Sequence, residues 1–167
     1  MVKRKFILNP LLSRMEALIQ KHYGEELLSV VIYGSIARTN YNELSDIDVL
    51  LVIRKGGSMK LRKSNYDKAK CELKKSSEWL EAKKGRLPYK FQPLILTLDE
   101  LRAHPPILLD MTQDGLVLFD RDNVFKKEIK LIRQRLKELG SKRIWLDKNR
   151  WYWILKPDIK FGEEFEI

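Results

Sequence analysis

The sequence predicts an α+β (α/β) fold: a mixed β-sheet of four to five strands flanked by helices, with an aromatic-rich C-terminal extension. Three observations predict it. Short β-branched and aromatic runs alternate with longer segments of helical periodicity. One such run, Val30-Val31-Ile32-Tyr33, breaks at Gly34-Ser35, where a helix can begin. Another, Ile47 to Ile53, opens on two carboxylates two residues apart, Asp46 and Asp48, a spacing that places both on one face of a strand.

Each element follows from local chemistry. Pro10 to Tyr23 carries Leu11, Leu12, Met15, Leu18 and Ile19 at helical spacing, Pro10 suits a first turn, and Gly24 ends the helix. A first strand, about Leu28 to Tyr33, leads into the Gly34-Ser35 turn, a short helical piece around Ile36 to Arg38, and a polar loop from Thr39 to Ser45. After the second strand, Arg54-Lys55-Gly56-Gly57-Ser58 is a flexible exit suited to the mouth of a site. Ser64 to Lys84 reads as one long helix, capped by Ser64 or Asn65, with Tyr66, Ala69, Leu73, Leu80 and Ala82 on its apolar face and Cys71 as a small core-facing residue. Gly85 stops it.

Phe91 to Leu98 supplies a third strand, which Pro93 marks as an edge or bulge strand. Asp99 to His104 begins a helix broken by Pro105-Pro106, and Ile107 to Met111 is helical up to Gly115. Leu116 to Phe119 is a fourth strand. Val124 to Leu139 is a helix striped by Val124, Ile129, Ile132, Leu136 and Leu139 and closed by Gly140. The remainder, Ser141 to Ile167, holds Trp145, Trp151, Tyr152 and Trp153, and such a tail is expected to dock on the body or on another subunit. Residues 1–120 therefore read as the principal domain, and 121–167 as a C-terminal helix and docked tail of the same globule.

Composition narrows the function. With 44% apolar residues over 167 positions the chain is globular, and no apolar run approaches the roughly 20 residues that span a bilayer. The start, Met1 to Phe6, lacks an apolar export segment, so a cytoplasmic protein with no membrane partner is expected. A single cysteine leaves no disulfide framework or thiol metal site, and the lone His22 and His104 do not suggest zinc. The net charge is +10, and Arg54 to Lys90 alone holds thirteen basic and four acidic residues. That segment is either a solvated helix face or an electrostatic approach for a polyanion: nucleoside triphosphate, RNA or an acidic protein. Aromatic residues are few there, so single-strand stacking has little support.

A Gly34-Ser35 turn presents N–H groups to an anion. Two adjacent carboxylates repel until a divalent cation joins them, and Mg²⁺ is held by one or two carboxylates together with phosphates. Gly34-Ser35 followed about ten residues later by Ser45-Asp46-Ile47-Asp48 resembles the signature of the polymerase β-like nucleotidyltransferase superfamily, in its minimal form, over roughly Leu28 to Ile53. Pro106 to Asp110 with Asp114-Gly115, and Leu155 to Asp158, look like longer archaeal members.

The resemblance implies a nucleotidyltransferase fold and an enzyme that moves a nucleoside monophosphate, such as AMP, from ATP or another nucleoside triphosphate to an acceptor hydroxyl, releasing pyrophosphate. By the same resemblance Gly34 and Ser35 bind phosphate, Asp46 and Asp48 bind one or two Mg²⁺ ions as the catalytic pair, and Arg38 or Ser45 contacts the triphosphate. It extends to an acceptor protein or RNA, to a small helical toxin-type partner, and to a homodimer.

One departure stands out. Family enzymes place a third carboxylate on the strand after the long helix, whereas here that strand carries Gln92, an amide that neither neutralises a cation nor accepts a proton. Glu43, Asp99, Glu100 and Asp158 are the conceivable substitutes. The competing readings are a catalytically weakened nucleotide- or partner-binding protein and an RNA-binding module. The tail tryptophans either pack or stack on adenine.

Overall fold

The computed structural model describes residues 2–148 and 150–167, with side chains from residue 10 onward. In order the elements are α1 (Val2–Tyr23), a 3₁₀ turn (Gly24–Glu26), β1 (Leu27–Tyr33), α2 (Gly34–Ala37), β2 (Ile47–Ile53), α3 (Met59–Leu73), α4 (Ser77–Lys84) and β3 (Phe91–Thr97). There follow α5 (Leu98–Arg102), α6 (Ile107–Asp114), β4 (Leu116–Asp120), a second 3₁₀ turn (Arg121–Asn123), α7 (Val124–Glu138), β5 (Lys142–Trp145) and β6 (Trp151–Ile154). Four strands form a mixed sheet in the order β3-β2-β1-β4, with β1 antiparallel to both neighbours and β2 parallel to β3. β5 and β6 form a separate antiparallel hairpin.

The alternation of β2 sorts its side chains into two cores. Ile47, Val49, Leu51 and Ile53 join Leu11, Met15, Ile19, Tyr66 and Leu73 beneath α1 and α3. Leu50 and Val52 join Leu108, Met111, Phe125, Ile129 and Ile132 beneath α6 and α7. A strand covered on both faces reads as an unbroken apolar run, as Val49 to Ile53 does. Asp48 shares the phase of Leu50 and Val52, so the carboxylate emerges at the end of the face roofed by α6, α7 and the C-terminal hairpin.

Several elements differ from the sequence reading. α1 begins at Val2 and carries Pro10 inside it, which forgoes one backbone hydrogen bond without ending the helix. The single helix expected from Ser64 is two: α3 starts at Met59, and α4 starts afresh where Ser76 accepts a hydrogen bond from the Trp79 N–H at 3.3 Å. The break rotates the second helix, so Trp79 is buried and Leu80 is exposed. Cys71 is also exposed, since it lies off the stripe formed by Tyr66, Ala69 and Leu73. In α7 the stripe is led by Phe125 rather than Val124. Pro93 does lie on an edge strand. The aromatic tail is docked on the body: Trp153 and Leu155 pack on the core under α6 and α7. None of the described helices is long and apolar enough to cross a membrane.

Candidate active site at the end of the central strands

The site forms where β1 ends and β2 begins. Tyr33, the last residue of β1, pairs with Asp48 across the antiparallel ladder. Gly34 follows with φ +69°, a conformation that side chains disfavour. Its backbone lies directly against Asp48, because a Cβ on Gly34 would sit 2.2 Å from Asp48 Oδ2. Only glycine allows this approach. Ser35 continues into the first turn of α2, partly exposed.

On the other strand, Gln92 is the register partner of Asp48, so their side chains share a face. The Gln92 amide donates to Asp46 Oδ2 at 3.5 Å, which brings Asp46 to that face as well. Ser45 shapes the approach to Asp46. Its hydroxyl accepts from the Asn42 N–H at 3.1 Å and donates to the Asn42 side chain at 3.4 Å, closing the polar loop. The carboxyl of Asp48 is pushed above its ordinary range, first by burial and then by the neighbouring Asp46 charge, while Arg38 opposes the shift. Burial and the Asp48 charge likewise raise the Tyr33 phenol.

Arg38 is held from the far end of the chain. Its guanidinium lies 4.5 Å from the centre of the Trp151 ring and 3.9 Å from Asp114 Oδ2. Arg143 donates to the same Asp114 oxygen at 2.8 Å and sits between Trp145 and Trp151, at 4.5 and 4.2 Å from their ring centres. Asp110 accepts from the indole N–H of both Trp151, at 2.7 Å, and Trp153, at 3.0 Å. Two aspartates of α6, two arginines and three tryptophans thus tie the β5–β6 hairpin to the wall of the site. The sequence reading left this cluster unassigned. Its signals were the two acidic residues of the 106–115 segment and the density of tryptophan after residue 144.

The arrangement brings Gly34, Ser35, Asp46 and Asp48 together, keeps Arg38 beside them, and uses the Ser45 hydroxyl to brace the loop. Among the described residues no Asp, Glu, His or Cys completes a cluster of three that could hold a metal. Asp99 and Glu100 lie past the far end of β3, about 20 Å along the strand. Glu100 is committed there to capping α5 with Thr97 and to an ion pair with Arg62 at 2.6 Å. Glu43 lines a cavity next to Ser45, and Asp158 lines a separate one near Gly140. The two carboxylates present nevertheless suit one divalent cation, which would relieve both their mutual repulsion and the burial of Asp48, and the bare Gly34 backbone leaves the Asp48 carboxylate its place.

A mixed sheet flanked by helices, with a central strand that begins on an Asp-x-Asp pair against a glycine turn, has the fold of a nucleotidyl-transferring enzyme. The family model described as the nucleotidyltransferase domain matches residues 13–152, and the chain belongs to that family. Its chemistry is therefore nucleoside monophosphate transfer, which in this family uses a nucleoside triphosphate and a divalent metal. A curated Methanocaldococcus jannaschii protein, named as a candidate protein adenylyltransferase, is 24% identical over 146 residues, spanning 86% of this chain and 92% of its own. A Sulfolobus solfataricus crystal structure of a candidate nucleotidyltransferase aligns at TM-score 0.46 and 18% identity, covering 72% of this chain and 87% of that one. A toxin–antitoxin structure with AMP-PNP aligns at TM-score 0.42 and 15% identity, covering 75% and 90% respectively.

Proposed function

We propose that this enzyme transfers AMP from ATP to an acceptor hydroxyl, with Asp46 and Asp48 holding one Mg²⁺ and with Gly34, Ser35 and Arg38 receiving the triphosphate. The observation that carries the reading is the contact between the Gly34 backbone and the Asp48 carboxylate, which sets an anion-sized turn beside a cation-demanding pair. Asp46 and Asp48 would hold the cation, which would supply neutralisation of the phosphate charge. Asp48 supplies a carboxylate that burial has already made costly to leave unpaired. Arg38, gripped by Trp151 and Asp114, presents a fixed positive charge on the same side. The acceptor oxygen bonds to the α-phosphorus, the bond from that phosphorus to the bridging oxygen breaks, and pyrophosphate departs. With Gln92 in place of a carboxylate, the acceptor proton leaves to water at the open mouth of the site.

The naming of the M. jannaschii relative as a candidate protein adenylyltransferase favours a protein as acceptor. The test is release of pyrophosphate and transfer of label from α-³²P-ATP to protein, compared with Asp46→Asn/Asp48→Asn. Labelling should vanish in the double variant. Labelling that persists there would sink the assignment.

A further inference from the structure

A cavity of about 290 Å³ opens beside Ser45, and its lining includes Leu44, Lys83, Arg86, Leu87 and Lys90, with Glu43 as its one carboxylate. It lies at the end of the sheet where β2 begins, on the side of the α1 and α3 core that Leu87 and Tyr89 join, around the strand edge from the face that carries Asp48. Ser45 directly precedes Asp46, and the carbonyl of Lys90 accepts the Ile47 N–H at 2.7 Å, so the cavity rim and the carboxylate pair are built on the same two strand starts. A second hollow of about 600 Å³ continues it past Glu43, Arg86 and Leu87. Lys83, Arg86 and Lys90 are all exposed, and none forms an ion pair with a described carboxylate. This is where part of the +9 excess of residues 54–90 is gathered.

Arg86 is held there against local preference. α4 ends in a Schellman turn, with the Leu87 N–H on the Ala82 carbonyl at 3.0 Å and the Arg86 N–H on the Lys83 carbonyl at 3.3 Å. The left-handed position of that turn, ordinarily a glycine, is Arg86 at φ +52°, while Gly85 stands one residue early at φ −76°. A cation therefore occupies the one place where glycine would be free of strain. Beside it Leu44 is 85% exposed, an aliphatic side chain among charges.

We propose that this cavity is the acceptor-docking site and that its occupant is an acidic polypeptide segment carrying the hydroxyl to be modified, an inference that rests on Asp46 and Asp48 being the transfer site. Three unpaired cations complement Asp and Glu side chains and offset the repulsion an acidic segment would meet at Asp46 and Asp48. Leu44 and Leu87 offer aliphatic contact that a phosphodiester strand cannot use. Of the two aromatic residues that line these hollows, Tyr89 has its ring packed edge-on against Trp79 at 5.0 Å and Tyr41 is partly buried against the α1 and α3 core, so neither is a free platform for bases.

The test is fluorescence anisotropy with labelled poly(Glu,Tyr), with poly(U) as the nucleic-acid arm, on the wild type and on Lys83→Ala/Arg86→Gly/Lys90→Ala. A charge-matched control, Lys68→Ala/Lys74→Ala/Lys75→Ala, removes three exposed lysines that do not line the cavity. Poly(Glu,Tyr) affinity should drop at least about tenfold in the cavity variant and hold within about threefold in the control, with ATP binding unchanged in both. Arg86→Gly alone should raise Tm by about 1–4 °C, which separates lost binding from lost folding. Equal losses in the two triple variants, no loss in either, or poly(U) bound more tightly than poly(Glu,Tyr) and lost only in the cavity variant would overturn the proposal. If the transfer site itself is misassigned, Asp46→Asn/Asp48→Asn will leave ATP binding and labelling intact, an outcome independent of polypeptide binding.

Discussion

Replacing Gly34 with alanine tests the close approach on which the site is built. Two costs can be worked from the structure. An L side chain at φ +69° costs about 1–2 kcal/mol in backbone strain. The new Cβ would lie 2.2 Å from Asp48 Oδ2, so the carboxylate must swing out of its rotamer at a further cost of about 0.5–1.5 kcal/mol. Together these predict a loss of about 2–3 kcal/mol in urea denaturation, or roughly 4–12 °C in Tm for a chain of this size. Mn²⁺ affinity, followed by electron paramagnetic resonance, should fall on the order of tenfold because the displaced carboxylate no longer faces Asp46. The double variant Gly34→Ala/Asp48→Ala separates the two costs: with no carboxylate to clash, only the backbone part remains, and a favourable coupling of about 1 kcal/mol should appear. An unchanged denaturation midpoint and unchanged Mn²⁺ binding in Gly34→Ala, or a cycle without coupling, would refute this account.

Three further outcomes follow from the same geometry. Gln92→Glu places a third carboxylate in register with Asp48 and within reach of Asp46, so Mn²⁺ should bind more tightly while the metal-free protein loses about 2–4 °C in Tm, both read by titration and melting with and without EDTA. Asp48 has a folded pKa above its unfolded one, so the stability it contributes is full below the ordinary carboxylate pKa and is lost as pH rises through the raised value. In EDTA, Asp48→Asn should therefore melt higher than wild type at neutral pH, and the difference should close as pH falls through the raised value and below the ordinary carboxylate range. Trp151→Ala removes the ring under Arg38 and Arg143 and a hydrogen bond to Asp110, at about 2–3 kcal/mol. It should raise the KM for ATP more than it lowers kcat. Trp151→Phe, which keeps a ring face, should restore KM if Arg38 positioning is the cause.

What the sequence made legible was what neighbours in the chain encode. β2, with its apolar run and the carboxylates at its start, was readable to the residue, because a doubly covered strand has a composition of its own and alternation fixes which side chains share a face. Gly34 was readable as a turn, but its contact with Asp48 was not, since it depends on how β1 pairs with β2. The interruption between α3 and α4 escaped notice because it has neither proline nor glycine, only Ser76 turning its hydroxyl to the Trp79 N–H. The misplacement of Leu80 follows from reading one helical phase through that break, whereas Cys71, ahead of it, lies off the stripe of Tyr66, Ala69 and Leu73. The β5–β6 strands and the grip on Arg38 were hidden most fully: their partners lie just after α2 and on α6, far back in the chain, and no local pattern announces a contact of that span.

That long-range grip also sets a timetable. Asp46 and Asp48 leave the ribosome early, but Trp151, which steadies Arg38 beside them, is made about a hundred residues later, roughly 5–20 s at ordinary elongation rates. During that interval the central strands of the nascent chain can pair while Arg38 still lacks its ring contact. The wall of the candidate site is thus completed only once nearly the whole chain has been made.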